Sequence, residues 1–290
     1  MPTQWALVLG GGGLAGIAWE TGILHALTQR GLDVQTATRI VGTSAGATVA
    51  AQLGSGIPIA ELFDRQADPA KHTRELTPEG ITVPELMELW ATLATEAAES
   101  GDMSQLPLRV GEMALNAKTV SESVRREVIE GRLPDHAWPA DSPVQLTAVD
   151  VYTGELRVFD KDSGVALVDA VAASCAVPGV WPPVTIDDHR YMDGGIRSAT
   201  NVDLADGFEQ VLLLAPMLDP MAEQQLLDLR SHAQVQVITP DEASVGAFGA
   251  NPLDPDVRVP CAQAGYDQGQ SVELAVGLQS SRRGVGSEDG

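Results

Sequence analysis

The chemistry in this chain starts at a serine. Gly42-Thr43-Ser44-Ala45-Gly46 follows the β-branched pair Ile40-Val41 and precedes Ala47-Thr48-Val49-Ala50-Ala51, so Ser44 falls where a strand turns into a helix. Small residues at Gly42 and Gly46 let the chain turn sharply and let strand and helix pack closely, which leaves the hydroxyl on an exposed corner. The helix that follows aims its positive end and unpaired amides back at that corner. Such a serine is built to be a nucleophile, but the pattern is short, and an ordinary small-residue turn also satisfies it.

Its neighbours narrow the choice. Trp5-Ala6-Leu7-Val8-Leu9 reads as a buried strand and ends in Gly10-Gly11-Gly12-Gly13, ahead of a helix predicted from about Leu14 to Arg30. Bare amides at a helix start attract an anion or a developing oxyanion. One well-placed donor contributes about 3 to 4 kcal/mol to acyl transfer. The same glycines also satisfy Gly11-x-Gly13-x-x-Gly16, a dinucleotide-binding fingerprint, with Asp33 at a tolerable distance for a ribose contact. That reading leaves Ser44 without a purpose, and Asp33 sits in the turn Gly31-Leu32-Asp33-Val34 instead of at the end of an apolar second strand. Far downstream, Tyr191-Met192-Asp193-Gly194-Gly195-Ile196 ends a short strand on an aspartate, and its two glycines leave room beside the carboxylate; alone, Asp-Gly is a common turn.

A glycine-rich loop after the first strand, Gly-x-Ser-x-Gly after the next and Asp-Gly-Gly far downstream together resemble the patatin-like phospholipase family. The resemblance extends through Gly16 to Leu27, through Leu146 to Glu155 and through Ala173-Ser174-Cys175-Ala176-Val177-Pro178-Gly179, and covers about residues 5 to 240. It implies a three-layer α/β/α fold with a largely parallel central sheet and a helical insertion. It further implies Ser44 as nucleophile, Asp193 as its proton acceptor, and the amides of Gly11, Gly12 and Gly13 as an oxyanion hole, with Gly16, Gly42, Gly46, Gly194 and Gly195 completing the motifs. The implied activity is hydrolysis of lipid or related carboxylic esters through an acyl-enzyme, without a cofactor. This chain departs from the family pattern at Gly10 and Ala15, where many members carry an acidic and a basic residue. A fixed cation near the oxyanion or a lipid phosphate is therefore missing from the loop.

Two other classes of function remain open: a ligand-binding protein that kept the fold and lost turnover, and a dinucleotide-dependent enzyme using Gly11 to Gly16. A conventional triad is the rival among hydrolases, since Ser44, Asp193 and His232 obey the order Ser, Asp, His. Only one clear strand and one helix precede the serine's own strand, too few for that fold. His232 ends a helix predicted from Met221, where a surface or capping role accounts for it. His25 falls within a helix, His72 and His136 in polar connectors, and His189 in a turn.

The elements that must position these residues alternate. Strand-like runs at Trp5 to Leu9, Ile40-Val41, Val211 to Ala215 and Val235 to Ile238 are separated by helical stretches, the pattern of an α/β fold with sites at the carboxyl ends of the strands. Residues 3–279 are expected to form one catalytic domain, with 58–139 as a helical insertion. There Leu86, Leu89, Trp90 and Leu93 form one apolar helical stripe. Core packing is the favoured reading of that stripe. Together with Met103, Leu106, Leu108, Met113 and Leu115, it would otherwise wall an acyl-chain groove over Ser44. Trp181-Pro182-Pro183 is expected to frame a hairpin, or else to form a lip of the same pocket.

Length and composition agree with one globular enzyme, at 290 residues and 44% hydrophobic content. A net charge of −22, with only Lys71, Lys118 and Lys161 as lysines, disfavours nucleic acid and repels anionic bilayers at long range, leaving at most peripheral membrane contact. The expected partner is a lipid or a small ester. Neither a basic segment followed by an apolar stretch at the start nor any apolar run of about 20 residues is present, so a cytoplasmic location is expected. Cys175 and Cys261 form no metal or redox pattern and read as packing residues, and the acidic pairs lack the ligand count of a calcium loop. Residues 280–290 have the composition of a disordered tail.

Overall fold

Strand β1 (Trp5–Leu9) is buried along its whole length, and its alternating side chains serve two different cores. Trp5, Leu7 and Leu9 pack with helix α1 (Gly13–Gln29), while Ala6 and Val8 face the opposite side with Val211, Leu213, Leu226 and Leu229. A strand buried on both faces belongs at the centre of a sheet with helices on either side. The computed structural model, which describes residues 4–78, 82–99 and 101–275, has that layout. The tail expected at 280–290 lies outside the described residues.

After α1 the chain forms β2 (Arg39–Thr43) and α2 (Ala45–Gly54). Four helices follow: α3 (Ile59–Ala67), α4 (Val83–Glu99), α5 (Gln105–Asn116) and α6 (Glu122–Arg132). Next come β3 (Val144–Asp150), β4 (Leu156–Phe159), α7 (Leu167–Ser174), β5 (Val184–Ile186) and β6 (His189–Asp193). The last part contributes β7 (Gln210–Leu214), α8 (Pro220–Arg230), β8 (Gln234–Ile238), α9 (Glu242–Phe248) and α10 (Arg258–Ser271).

The sheet runs β5-β6-β3-β2-β1-β7-β8, with β4 also paired to β3. The pairs from β3 through β2, β1 and β7 to β8 are parallel, and those among β3, β4, β5 and β6 are antiparallel. The α/β class and the largely parallel sheet are therefore as expected, and α3 to α6 form the helical insertion. That insertion does not stay apart from the rest: α3 lies against α1 and α10, and α6 against α7.

One register decides where the site forms. Leu146 and Thr147 of β3 pair with Gly42 and Thr43 of β2 and also with β4, while Ala148 and Val149 pair with Asp193 and Met192 of β6 and also with β4. A strand has two edges, so β4 takes one, and β2 and β6 share the other end to end. β2 arrives parallel to β3 and β6 antiparallel, so their carboxyl ends meet opposite the adjacent residues Thr147 and Ala148. The residue after Thr43 is Ser44, and the last of β6 is Asp193.

Candidate active site

Ser44 caps the N-terminus of α2 with φ 54° and ψ −112°, a backbone conformation that side-chain-bearing residues rarely adopt and that costs about 1 to 3 kcal/mol. Two kinds of contact hold it there. The helix crosses so close to β1 that a Cβ on Gly46 would stand 2.1 Å from the Leu9 carbonyl oxygen. The end of α7 braces the turn: the Ser44 N–H donates to Ser174 Oγ at 2.9 Å, and Cys175 Sγ donates to the Ser44 carbonyl at 3.1 Å. Burial raises the Cys175 thiol pKa, which keeps it a donor. Sequence reasoning gave Cys175 only a packing role and Ser174 none. The signal was present in their adjacency, but nothing local shows that α7 ends against the serine.

Asp193 is buried, and its two oxygens differ. Oδ1 accepts the Gly195 N–H at 2.8 Å, whereas Oδ2 is enclosed without a hydrogen-bond partner among the described residues. Burial pushes the carboxyl up to about 6, opposed by the neighbouring Ser44 hydroxyl and by the Gly195 amide. The serine is thus close enough to act on the Asp193 charge, yet no fully formed hydrogen bond joins the two side chains at rest. Asn201 ties the strand ends together beneath them. Its Nδ2 donates to Thr43 Oγ1 at 3.1 Å, to the Gly194 carbonyl at 3.2 Å and to the Ser198 carbonyl at 2.9 Å, and Thr43 and Thr147 hydroxyls bond each other at 2.9 Å. This polar cluster was not foreseen, because its members come from four separate segments.

The glycine loop faces the same space, though not with every amide expected. The Gly11 N–H donates to the Ala199 carbonyl at 2.8 Å and is not free for a reacting oxygen. Among the described residues, the Gly12 and Gly13 N–H groups have no acceptor, and both residues line the cavity beside Ser44. Gly13 needs its φ of 64°, and a Cβ on Gly12 would stand 2.5 Å from Pro216 Cβ. Gly16 donates to the Gly12 carbonyl at 2.8 Å and lets α1 approach Ala45. Ala15 donates its N–H to the Pro252 carbonyl and brings no charge to the loop. Behind the loop, Glu20 is fully buried, and among the described residues neither carboxyl oxygen has a partner at hydrogen-bond geometry. Burial raises its pKa well above the ordinary value despite an opposing influence of the Gly10 amide.

Gly11, Gly12, Gly13, Ser44, Asp193 and Gly195 open onto one cavity of about 380 Å³ with a predominantly apolar lining, contributed by Leu86, Trp90, Ile196, Pro216, Leu218 and Leu253 among others. The predicted stripe is divided: Leu86 and Trp90 reach this cavity, Leu89 does not line it, and Leu93 packs with Val110, Val149, Val151 and Met192. Leu106, Met113 and Leu115 join that interior group, Leu108 lies beside Gly154, and Met103 is exposed. Trp181 is buried and lines a second, small pocket that Ser44 also borders.

No histidine lines the cavity. His232 stands on the surface with Nε2 2.8 Å from Asp206 Oδ1, as the surface reading of that residue required. Asp33 precedes β2, at the opposite end of the parallel pair from the glycine loop, and its carboxylate holds the Gln35 N–H. It cannot reach a dinucleotide ribose bound at Gly11 to Gly16. Among the described residues, no three His, Cys, Asp or Glu side chains converge as metal ligands, and no helix is long and apolar enough to cross a membrane.

Uncharacterised NTE family proteins of Mycobacterium bovis and Mycobacterium tuberculosis are 29% identical to this chain over 191 residues, 66% of this chain and 42% of theirs. The chain thus spans less than half the length of these relatives. Among solved structures, VipD of Legionella pneumophila is 13% identical, with 93% of this chain and 66% of that one covered and a TM-score of 0.44. The type III effector ExoU of Pseudomonas aeruginosa is 17% identical, with 96% and 53% covered and a TM-score of 0.43. The family model for patatin-like phospholipases matches residues 7–206, well over half of the sequence, and the chain belongs to that family.

Proposed function

We propose that this protein is a serine acyl hydrolase that cleaves lipid or related carboxylic esters through Ser44 and Asp193, without histidine. The observation that carries this reading is the placement of a strained, helix-capping serine and a buried carboxyl with one unpartnered oxygen on the wall of the same apolar cavity.

In this mechanism the ester enters with its chain in the cavity, and Asp193 Oδ2 accepts the Ser44 proton as Oγ attacks the carbonyl carbon. A carboxylate at its ordinary pKa is a weak base; at about 6 it is better matched to neutral pH. The oxyanion lies against the Gly12 and Gly13 N–H groups, which have no other acceptor among the described residues and need no reorganisation to receive it. Asp193 then protonates the departing alkoxide, leaving an acyl group on Ser44. Once ionised again, Asp193 takes a proton from the water that attacks the acyl carbonyl, and returns it to Ser44 Oγ as the bond to the acyl carbon breaks and the carboxylic acid leaves. The Gly195 amide holds Oδ1 so that Oδ2 stays turned to the reaction.

The test is labelling with a fluorophosphonate together with turnover of a medium-chain chromogenic ester. Modification mapped to Ser44, and loss of both labelling and turnover in a folded Ser44→Ala variant, is the expected result. Turnover that survives in that variant, or a label mapped elsewhere, overturns the assignment.

A further inference from the structure

The small pocket that shares Ser44, Gly13, Val177 and Leu253 with the apolar cavity differs from it in character. Its space is only about 20 Å³, and Gly13, Ser44 and Cys175 share it with Glu75, Arg125 and Arg132. Arg125 is only 4% exposed, and its guanidinium lies 3.9 Å from the centre of the Trp181 ring. Among the described residues its side chain makes no ion pair and no hydrogen bond: Nε and Nη1 are buried without a partner. The carboxylate nearest in this pocket, Glu75, is already committed to Arg132 through two bonds of 2.8 and 2.7 Å. The pocket therefore holds two guanidinium groups and one carboxylate, an excess positive charge inside a protein of net charge −22.

An unpaired buried cation is costly, and natural proteins seldom keep one without a counter-charge. Burial and the second guanidinium at Arg132 press on the Arg125 charge and, against a partial offset from Glu75, lower its pKa to about 9, so at neutral pH it remains a cation whose own hydrogen-bond donors are unmet. Among the described residues, no carboxylate forms an ion pair with it.

We propose that Arg125, backed by Arg132, is a subsite for an anionic group carried by the ester itself close to the scissile bond. This rests on the acyl-hydrolase reading: Ser44 lies on the wall of both spaces, so the apolar chain occupies the large cavity while an acidic group on the other side of the ester meets Arg125. The small volume selects a carboxylate, or the terminal oxygens of a phosphate, over a bulky head group. The substrate class is an amphiphilic ester with an acid a few atoms from the ester oxygen, and Arg125 determines specificity without touching the reacting atoms.

The test compares the octanoyl ester of glycolate with its uncharged glycolamide counterpart, in the wild type and in Arg125→Met and Arg125→Lys variants, with calorimetric titration of dodecyl phosphate and of inorganic phosphate. The wild type is expected to favour the anionic ester in kcat/KM. That preference should fall at least about tenfold in Arg125→Met and be partly restored in Arg125→Lys, as expected for a charge-assisted bond. Dodecyl phosphate should bind the wild type at least about tenfold more tightly than it binds Arg125→Met. Thermal melts of Arg125→Met, in which a long apolar side chain replaces the unpaired charge, report whether the fold is retained. Equal kcat/KM for the two esters in the wild type overturns the proposal, as does dodecyl phosphate binding unaffected in folded Arg125→Met. Inorganic phosphate binding as tightly as dodecyl phosphate would make the ligand a free anion and overturn the substrate-borne version. If neither ester is turned over while dodecyl phosphate binding still depends on Arg125, the subsite stands and the hydrolase reading fails.

Discussion

Replacing Asp193 with Asn should remove activity and strengthen the fold together, because the same buried charge serves one and opposes the other. Burial raises the carboxyl from its ordinary 3.8 to about 6. A displacement of that size corresponds to roughly 3 kcal/mol, an upper bound for the penalty of keeping the carboxylate ionised inside the fold. The sign follows from the direction. With the folded value above the unfolded one, the contribution of Asp193 to stability is fully present below about pH 4 and is lost as pH rises through about 6. The side-chain amide of the Asp193→Asn variant does not ionise, and its carbonyl can still accept the Gly195 N–H. The variant should therefore match the wild type near pH 4 and exceed it by up to roughly 3 kcal/mol at pH 8, which thermal and urea melts at both pH values will measure. Its kcat/KM for a neutral ester should fall by at least about a hundredfold, the usual contribution of a positioned base. The wild-type rate should rise through about pH 6 and then level as Asp193 ionises. A variant that is no more stable than the wild type at pH 8, or one that keeps its rate, would refute the reasoning.

Gly12→Ala should lower kcat by about a hundred- to a thousandfold, since its Cβ would meet Pro216 at 2.5 Å and the loop must turn its amide to relieve the clash; steady-state kinetics decide, and full activity removes Gly12 from the oxyanion site. His232→Ala should keep a near-normal rate, because that ring pairs with Asp206 on the surface, and a folded but inactive variant would restore the triad. Glu20→Gln should stabilise the protein, by more at pH 9 than at pH 4: the buried acid has its pKa raised, so its contribution fades as pH climbs, and melts across that range showing no pH-dependent gain would contradict the upward shift at Glu20.

The turn at Ser44 and the glycine loop were legible in the residues because both are local. A serine before a helix with glycines on either side, and a run of glycines after an apolar strand, express backbone limits that act over a few residues. Asp193 was legible only through its motif: Asp-Gly-Gly describes a turn, and nothing near it in the chain says which serine it faces. The stripe at Leu86 to Leu93 was legible as apolar, but which of its members packs and which lines a cavity depends on helices and strands far along the chain. The order Ser44, Asp193, His232 fitted a triad on paper, and the fold carries the histidine away to a surface carboxylate.

What the sequence by itself determined is therefore the family, the α/β class and the local turns at the glycine motifs, since steric permission at glycines and the apolar pattern of strands are properties of short segments. The tertiary structure alone decided the rest. It placed the ends of β2 and β6 against one edge of β3 so that Ser44 meets Asp193, committed the Gly11 amide to Ala199 while leaving those of Gly12 and Gly13 without an acceptor among the described residues, and left Arg125 with no hydrogen bond or ion pair of its own among those residues, in a pocket that Ser44 also lines. The physical reason is the same in each case: strand register, hydrogen-bond partnership and burial are relations between distant segments, and a side chain's charge, donors and pKa take effect only through the neighbours that folding supplies.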